Sequence, residues 1–367
     1  RANAVNFVDT AAVDTFATTT GTLAGADVDA NTTLTYGIAN GTVTDGVATK
    51  VGTYGTLAVT ATSGAYTFTP NAAAINALSA NTTESFTVTV SDGTAPTATA
   101  TLTVNLTGAN DTPTLTAPSS FALTEDVAGN LTYTGTPFAD VDSATLTVTL
   151  SVSDGTITGN AGTGITVAGT ATARTFAGTV AALNTYFTTA GKITYLGLLN
   201  NTTSRTLTTA VSDGALSAST TSTINFTAVN DAPVAAASTL TTIAEDVVSG
   251  SNPGTLVSAL VTDFTDADSG AVKGLAVTSV VTTNGTWYYS TNAGSTWTTL
   301  TGVSTSAARL LKGDDANYKV RFVPNANYNG TATLTYQAWD QTSGTAGATA
   351  DVTTNGLSTA FSSNTET

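Results

Sequence analysis

The chain has 367 residues, and its 25 acidic and 10 basic side chains give it a formal charge of −15. It contains no cysteine, histidine or methionine, which excludes disulfides, thiolate or imidazole catalysis and metal sites built on sulfur or imidazole. Such a charge repels nucleic acid and anionic lipid surfaces and favours cations as partners. No apolar run reaches the roughly 18 residues of a membrane span.

Alternating threonines mark the predicted strands along the chain. They occur in SFTVTV at 85–90, TLTVNLT at 101–107, LTVTL at 146–150 and ATLTYQAW at 332–339. A period of two with β-branched residues predicts half-buried strands, and the Gly, Asn and Asp clusters between the runs predict hairpin turns. We expect a helix only at NAAAINALSA, residues 71–80. The sequence therefore predicts an all-β fold.

One phrase occurs twice at the spacing of a domain. VSDGTAPTATATLTVNLTGANDTP ends at Pro113, and VSDGALSASTTSTINFTAVNDAP ends at Pro233, 120 residues later. We predict three tandem immunoglobulin-like β-sandwich modules that form an elongated rod, at 1–110, 111–230 and 231–367. After Asp340 the third module has no counterpart of the final strand, so we expect an open sheet edge there. Because methionine is absent, we also expect Arg1 to follow processing or truncation of a longer chain.

Acidic residues recur at matching positions in these modules. Each of the two joints is followed by two adjacent acids, then by an Asp-x-Asp pair, and later by an aspartate after the penultimate strand. Residues i and i+2 of a strand share one side, so both carboxylates of a pair would converge. Ca²⁺ binds six to eight oxygens with flexible geometry, whereas Mg²⁺ needs a tighter octahedron. The predicted Ca²⁺ ligands are Asp27, Asp29, Asp92, Asn110, Asp111, Glu125, Asp126, Asp140, Asp142, Asp213, Asn230, Asp231, Glu245, Asp246, Asp266, Asp268 and Asp340.

A simpler interpretation is that any one of these acids is a solvated turn residue. The further copy of VSDG at 152–155 has no Asn-Asp-x-Pro joint after it. We therefore predict that Asp154 belongs only to a turn.

The first module, from GADVDANTTLTYGI through ESFTVTVSDG to NLTGANDTP, resembles a VCBS repeat. The second and third modules resemble the bacterial cadherin-like repeats of large surface adhesins. This resemblance implies a Ca²⁺-stiffened rod in which Asp140, Asp142 and Asp213 face the Asn110–Asp111 joint. It also implies a second junction that combines Glu125, with Asp126, and the residues Asn230, Asp231, Asp266, Asp268 and Asp340.

The joints depart from the cadherin pattern. GANDTP and AVNDAP lack the acid before Asn-Asp and the asparagine after it, and we find no mid-module acidic motif. The resemblance therefore implies only one or two ions at each junction.

The leading functional hypothesis is a non-enzymatic, extracellular, Ca²⁺-stabilised segment of a bacterial surface adhesin or fibre. Its partners would be neighbouring modules or subunits of the same protein, and cell-surface glycans or proteins. One alternative is a self-assembling filament or surface-layer subunit joined by strand donation, with residues 2–8 as the donor. A second is a carbohydrate-binding module centred on Trp287 and Trp297.

Overall fold

The computed structural model describes residues 4–29, 32–94 and 96–367. Strands account for 42% of the chain and helices are few, so the prediction of an all-β fold with tandem β-sandwich modules is confirmed. Contacts divide the chain into two compact units: the first comprises Arg1–Leu123, Val127–Leu198 and Thr203–Phe226, and the second comprises Thr124–Asp126, Leu199–Thr202 and Thr227–Thr367. The boundaries near residues 110 and 230 stay predictions. None of the helices in the described residues is long and apolar enough to cross a membrane.

The first nine strands form two sheets that enclose one apolar core. They are β1 (Val5–Val8), β2 (Thr19–Thr22), β3 (Thr35–Ile38), β4 (Thr42–Thr44), β5 (Val47–Val51), β6 (Gly55–Thr60), β7 (Ala65–Pro70), β8 (Thr82–Ser91) and β9 (Ala98–Thr107). The spatial orders are β1-β9-β8-β3 and β2-β7-β6-β5-β4. Alternate residues such as Leu57, Phe86 and Leu102 point into the core, because successive side chains of a strand face opposite sides. Helix α1 (Ala72–Asn76) lies within the predicted helical segment.

Strand β1 pairs in parallel with β9, from Val5 opposite Val104 to Val8 opposite Thr107. Val5 and Phe7 are buried in the core of the first sandwich. The prediction that this segment is a free donor strand is therefore wrong for Val5–Val8, since it completes its own sheet. Residues 2 and 3 of the predicted donor lie outside the described residues.

Residues 114–227 form a second sandwich. Its strands are β10 (Thr114–Leu115), β11 (Ser120–Thr124), β12 (Gly129–Asn130), β13 (Phe138–Ala139), β14 (Thr145–Ser151), β15 (Thr156–Gly159), β16 (Ile165–Gly169), β17 (Ala173–Thr179), β18 (Ile193–Leu196), β19 (Arg205–Ser212) and β20 (Ser217–Thr227). A six-stranded sheet, β11-β20-β19-β14-β17-β16, accompanies β12-β18-β15 and the pair β10-β13. Buried aromatic residues such as Tyr133, Phe176 and Phe187 fill the core.

Helix α2 (Val180–Thr188) corrects the prediction of a single helical segment. Thr179 caps it by accepting a hydrogen bond from Ala182 N at 3.2 Å. Leu183, Tyr186 and Phe187 are buried against the sandwich. Their spacing of three and four residues is typical of an amphipathic helix, but the surrounding threonines concealed this signal.

Residues 249–367 contain the third sandwich. Its elements are a 3₁₀ turn (Ser249–Ser251), β21 (Thr255–Leu256), α3 (Val257–Leu260), β22 (Gly274–Val280), β23 (Gly285–Ser290), β24 (Thr298–Thr299), β25 (Ala308–Lys312), β26 (Lys319–Pro324), β27 (Leu334–Trp339) and β28 (Thr349–Ala350). The sheets are β21-β26-β23-β24 and β27-β22-β25-β28. The sheet that contains β27 carries a second buried cluster, which includes Leu310, Trp339 and Phe361.

The C-terminal tail covers the edge that the sequence predicts to be open. Isolated antiparallel bridges join Trp339 to Phe361 and Tyr336 to Glu366, so the four residues 336–339 of β27 oppose the six residues 361–366 of the tail and the tail bulges. Within the bulge, the Asn364 amide exchanges two hydrogen bonds with the Ala235 backbone, at 3.1 and 2.8 Å. The prediction of an unpaired edge along β27 is therefore wrong. The tail lacks the alternating pattern that is typical of a strand. Side chains such as the Asn364 amide make part of its contacts instead.

Phe361→Ala should destabilise the third sandwich by about 3 kcal/mol, the usual cost of removing a buried phenylalanine side chain. Phe361 is 6% exposed, whereas Leu357 in the same tail is 91% exposed, so Leu357→Ala should stay within about 0.5 kcal/mol of the parent protein. All three tryptophans lie between residues 287 and 339, so tryptophan fluorescence during urea unfolding reports on this sandwich. Equal unfolding midpoints for both variants would contradict the described packing of the tail.

Candidate metal centres

Two groups of carboxylates lie at the joints after β9 and β20. We define the first acidic cluster as Asp9, Asp14, Asp111, Asp140 and Asp142, and the second acidic cluster as Glu125, Asp126, Asp231, Asp266 and Asp268. All members of the first belong to the first compact unit, and all members of the second belong to the second unit. Among the described residues, no lysine or arginine forms a salt bridge with either cluster.

The first acidic cluster contains buried oxygens that lack partners. Asp9 and Asp111 are 3% and 1% exposed, and the Asp111 backbone N–H donates to Asp142 Oδ2 at 3.3 Å. The buried carboxylate oxygens without a hydrogen bond are Asp9 Oδ1, Asp111 Oδ1, Asp111 Oδ2, Asp140 Oδ2 and Asp142 Oδ1. A buried carboxylate without compensation is strongly unfavourable. This donor set therefore fits a hard cation that accepts several oxygens.

The second acidic cluster repeats this arrangement. One carboxylate oxygen from each of Glu125, Asp126 and Asp231 lies within 4.8 Å of the other two. The Asp231 backbone N–H donates to Asp268 Oδ2 at 2.8 Å, and Asp266 Oδ2 is buried without a partner. The structure thus brings together residues from three separate segments that the sequence assigns to one junction.

The Asp-x-Asp pairs lie in loops rather than strands, which corrects the structural basis of their prediction. The first aspartate of each pair accepts a hydrogen bond from the backbone N–H of the second aspartate, at 3.1 Å for Asp140–Asp142 and 2.9 Å for Asp266–Asp268. This is an Asx-type turn. The turn uses one oxygen of the first aspartate and leaves Asp140 Oδ2 and Asp266 Oδ2 unpartnered.

An aspartate after the penultimate strand holds each joint asparagine. Asp213 Oδ2 accepts a hydrogen bond from Asn110 Nδ2 at 2.7 Å, and Asp340 Oδ2 accepts one from Asn230 Nδ2 at 2.9 Å. The other oxygen of Asp213 accepts the N–H groups of its own turn. Burial raises the pKa of Asp213, but these hydrogen bonds outweigh burial and leave the pKa below its ordinary value. Both aspartates therefore order the joints directly.

Burial and like charges raise the pKa of the aspartate at the centre of each cluster. Desolvation is the largest cause for Asp111, followed by the charge of Asp9, and its pKa rises from 3.8 to about 6. Desolvation, followed by the charges of Asp126 and Asp268, likewise raises the pKa of Asp231 from 3.8 to about 6. A nearby cation would reverse this electrostatic penalty.

Asp9 and Asp14 are members of the first cluster that the sequence analysis missed. Asp9 follows β1 as Glu125 follows β11, and each accepts a backbone N–H of its joint: Asp9 from Ala109 at 3.3 Å, and Glu125 from Val229 at 3.0 Å. The sequence feature that could have identified Asp9 is its position directly after strand β1. Asp14 also contributes negative charge at Asp111.

The remaining predicted ligands lie outside these clusters. Asp27, Asp29 and Glu245 are exposed, and Asp92 accepts hydrogen bonds within its own turn. Asp246 is also exposed and accepts a loop N–H at 2.9 Å. The structure does not gather these five residues around a joint.

Asp154 forms an ion pair in addition to its turn. Arg205 Nε lies 2.7 Å from Asp154 Oδ1 and 2.9 Å from Oδ2. The Tyr195 hydroxyl donates to the Asp154 carbonyl at 3.0 Å. Asp154 therefore ties a turn to β18 and β19, a contact that its turn sequence does not reveal.

Aromatic side chains of the third sandwich serve packing. Trp287 is 1% exposed and donates to the Val281 carbonyl at 3.1 Å. The Trp297 ring lies 4.0 Å from the buried Arg321 guanidinium carbon. The predicted sugar-binding platform centred on Trp287 and Trp297 is therefore wrong, because Trp287 cannot reach a ligand.

The fold and the two clusters define a tandem β-sandwich protein with acidic joints. Residues 2–108 match the family model of the bacterial cadherin-like domain. The VCBS resemblance of this segment stays a prediction. Comparison with curated proteins gives no match.

Solved structures that match this chain include mouse Cadherin-23 EC22-24, at 16% identity over 92% of this chain and 90% of that chain, with a TM-score of 0.39. Human CDH23 EC21-23 is 16% identical over 88% of this chain and 98% of that chain, with a TM-score of 0.36. An endo-fucoidan hydrolase from glycoside hydrolase family 107 is 17% identical over 86% of this chain but 37% of that chain, with a TM-score of 0.22. At these TM-scores the likeness says nothing about what this chain binds.

In the presence of a chelator, the free energy of unfolding should fall as pH rises from about 4 to about 6.5. The folded chain retains protons on Asp111 and Asp231 in this window, while the unfolded chain has lost them, so stability decreases with pH. No histidine titrates there. We expect a lower melting temperature at pH 7.5 than at pH 5 by circular dichroism.

Asp111→Asn provides the matched variant because it keeps the side-chain shape and removes the charge. In the presence of a chelator, this substitution should raise the melting temperature more at pH 7.5 than at pH 5. If the stability of the parent protein in chelator rises between about pH 4 and about pH 6.5, the raised pKa values of Asp111 and Asp231 are contradicted.

Proposed function

We propose that the chain is a Ca²⁺-stabilised structural segment of a bacterial surface adhesin or fibre, without enzymatic activity. The observation that carries this proposal is the set of buried, unpartnered carboxylate oxygens at the first joint. A second carboxylate group at the next joint supports it. Burying like-charged carboxylates at two joints is unfavourable, and the chain can fold in this way when a bound cation offsets that free energy.

The ligand chemistry favours Ca²⁺ over other ions. The clusters offer carboxylate oxygens, and the sequence contains no histidine or cysteine for a softer metal. Asp9, Asp111, Asp140 and Asp142 would hold an ion at the first joint, and Glu125, Asp126, Asp231, Asp266 and Asp268 at the second. The ion would neutralise the crowded charges and fix the joint.

The wider assignment follows from the same features. The match of residues 2–108 to a bacterial cadherin-like domain supports an extracellular, adhesive or structural role. We assign a VCBS-like repeat to the first module and cadherin-like repeats to the next two. Neighbouring modules or subunits of the same protein are the proposed partners, and surface glycans or proteins are the proposed adhesive targets.

Millimolar Ca²⁺ should stabilise the chain by roughly 1.4 kcal/mol per site if the dissociation constant is near 0.1 mM. Native mass spectrometry with and without chelator would count the ions, and melting curves would measure the stabilisation. Superimposable curves in EDTA and Ca²⁺, with no bound ion in the mass spectrum, would rule out the proposal.

The double variant Asp266→Ala, Asp268→Ala should abolish the Ca²⁺ response of tryptophan fluorescence, which reports on the third sandwich, and remove the ions of the second cluster. Asp263→Asn is the matched control, since Asp263 is an exposed acid in the same segment. The control should bind Ca²⁺ like the parent protein. If both variants lose the Ca²⁺ response of tryptophan fluorescence equally, the response depends on overall surface charge and not on the second acidic cluster.

A further inference from the structure

The loop from Asp9 to Asp14 closes against the first joint. Thr10 N donates to Asp14 Oδ2 at 2.6 Å, which closes the loop on itself. The joint residue Thr112 donates its backbone N–H to the Ala11 carbonyl at 3.2 Å. Asp14 therefore lies at the end of a loop that already contacts the joint.

Asn76, the last residue of α1, holds the backbone of Asp14. Its Oδ1 accepts the Asp14 N–H at 2.8 Å, and its Nδ2 donates to the Asp14 carbonyl at 3.0 Å. Asn76 is 4% exposed, so both polar ends of this amide depend on Asp14. Alanine at position 76 would leave both backbone groups of Asp14 without these partners.

Two asparagines in the later modules also contact acids, but through their backbone N–H groups. The backbone N–H of Asn200 donates to Asp126 Oδ1 at 2.7 Å, and that of Asn327 donates to Asp246 Oδ1 at 2.9 Å. Those contacts use a carboxylate oxygen. Asn76 instead binds the main chain of Asp14. Because Oδ2 accepts the Thr10 N–H, Oδ1 is the Asp14 oxygen that these contacts leave available.

We propose that Asn76 is a positioning residue of the first acidic cluster, which fixes Asp14 so that its carboxylate serves as a further ligand for the cation at the joint. This inference rests on the proposed function. It assigns a role to α1, which otherwise contributes only Ile75 to the buried core. In the second acidic cluster, Asn230 Nδ2 donates to the Asp231 carbonyl at 3.4 Å, but among the described residues no side-chain amide binds both the N–H and the carbonyl of one cluster member.

The test is Ca²⁺ titration by calorimetry in the Asp266→Ala, Asp268→Ala background, where only the first site binds. Asn76→Ala and Asp14→Asn should each weaken this site by about tenfold, the usual effect of removing a residue that orients a ligand. The combined variant should bind no more weakly than Asp14→Asn alone, because Asn76 acts through Asp14.

Asn71→Ala is the matched control for damage to the helix. Asn71 caps the other end of α1 by accepting a hydrogen bond from Ala74 N at 3.4 Å. Its side-chain hydrogen bonds among the described residues go to Thr53 and Ala74 rather than to Asp14. This variant should lower the melting temperature in EDTA yet keep the affinity of the parent for Ca²⁺.

Parent-like affinity in Asn76→Ala, or additive losses in the combined variant, would overturn the inference. If Asn76→Ala fails to fold, parent-like affinity in Asp14→Asn overturns it independently. A parent protein that binds no Ca²⁺ at either site would instead refute the proposed function, and this inference with it.

Discussion

Repulsion between buried carboxylates is the constraint on which the joints depend. At the first joint, five oxygens from four aspartates are buried without a hydrogen bond, and no basic side chain of the described residues forms a salt bridge with them. Hydrophobic cores stabilise each sandwich separately. The joints cannot rely on apolar burial in this way, since their side chains are charged. Their order therefore depends on what neutralises the charge.

The strands were predictable because their environment is regular. A half-buried strand requires a residue pattern with a period of two, and LTVTL at 146–150 shows it and forms β14. Helix α2 was missed because its three apolar positions lie among threonines. The tail of the third sandwich was missed for a different reason. Asn364 and Ser362 use side chains to bond Ala235 and Ala338, and such pairing has no periodic signature.

The acids of the clusters were predictable where the chain offers a second copy to compare. Asp140 and Asp142 match Asp266 and Asp268 in order and spacing, and both pairs lie beside a joint. Asp9 and Asp14 were missed because their spacing differs from that of Glu125 and Asp126. The contact of Asn76 with Asp14 spans 62 residues, and only the folded chain brings such a pair together.

The joints connect parts of the chain that are distant in sequence. Hydrogen bonds span 100 residues from Asp9 to Ala109 and 103 residues from Asn110 to Asp213. An ion bound among these segments would act as a cross-link that restricts the unfolded chain, and the entropic effect of such a cross-link grows with the length of the closed loop. This chain has no cysteine. Its cross-links would therefore open and close with the concentration of free cation in the surrounding medium, independently of redox potential.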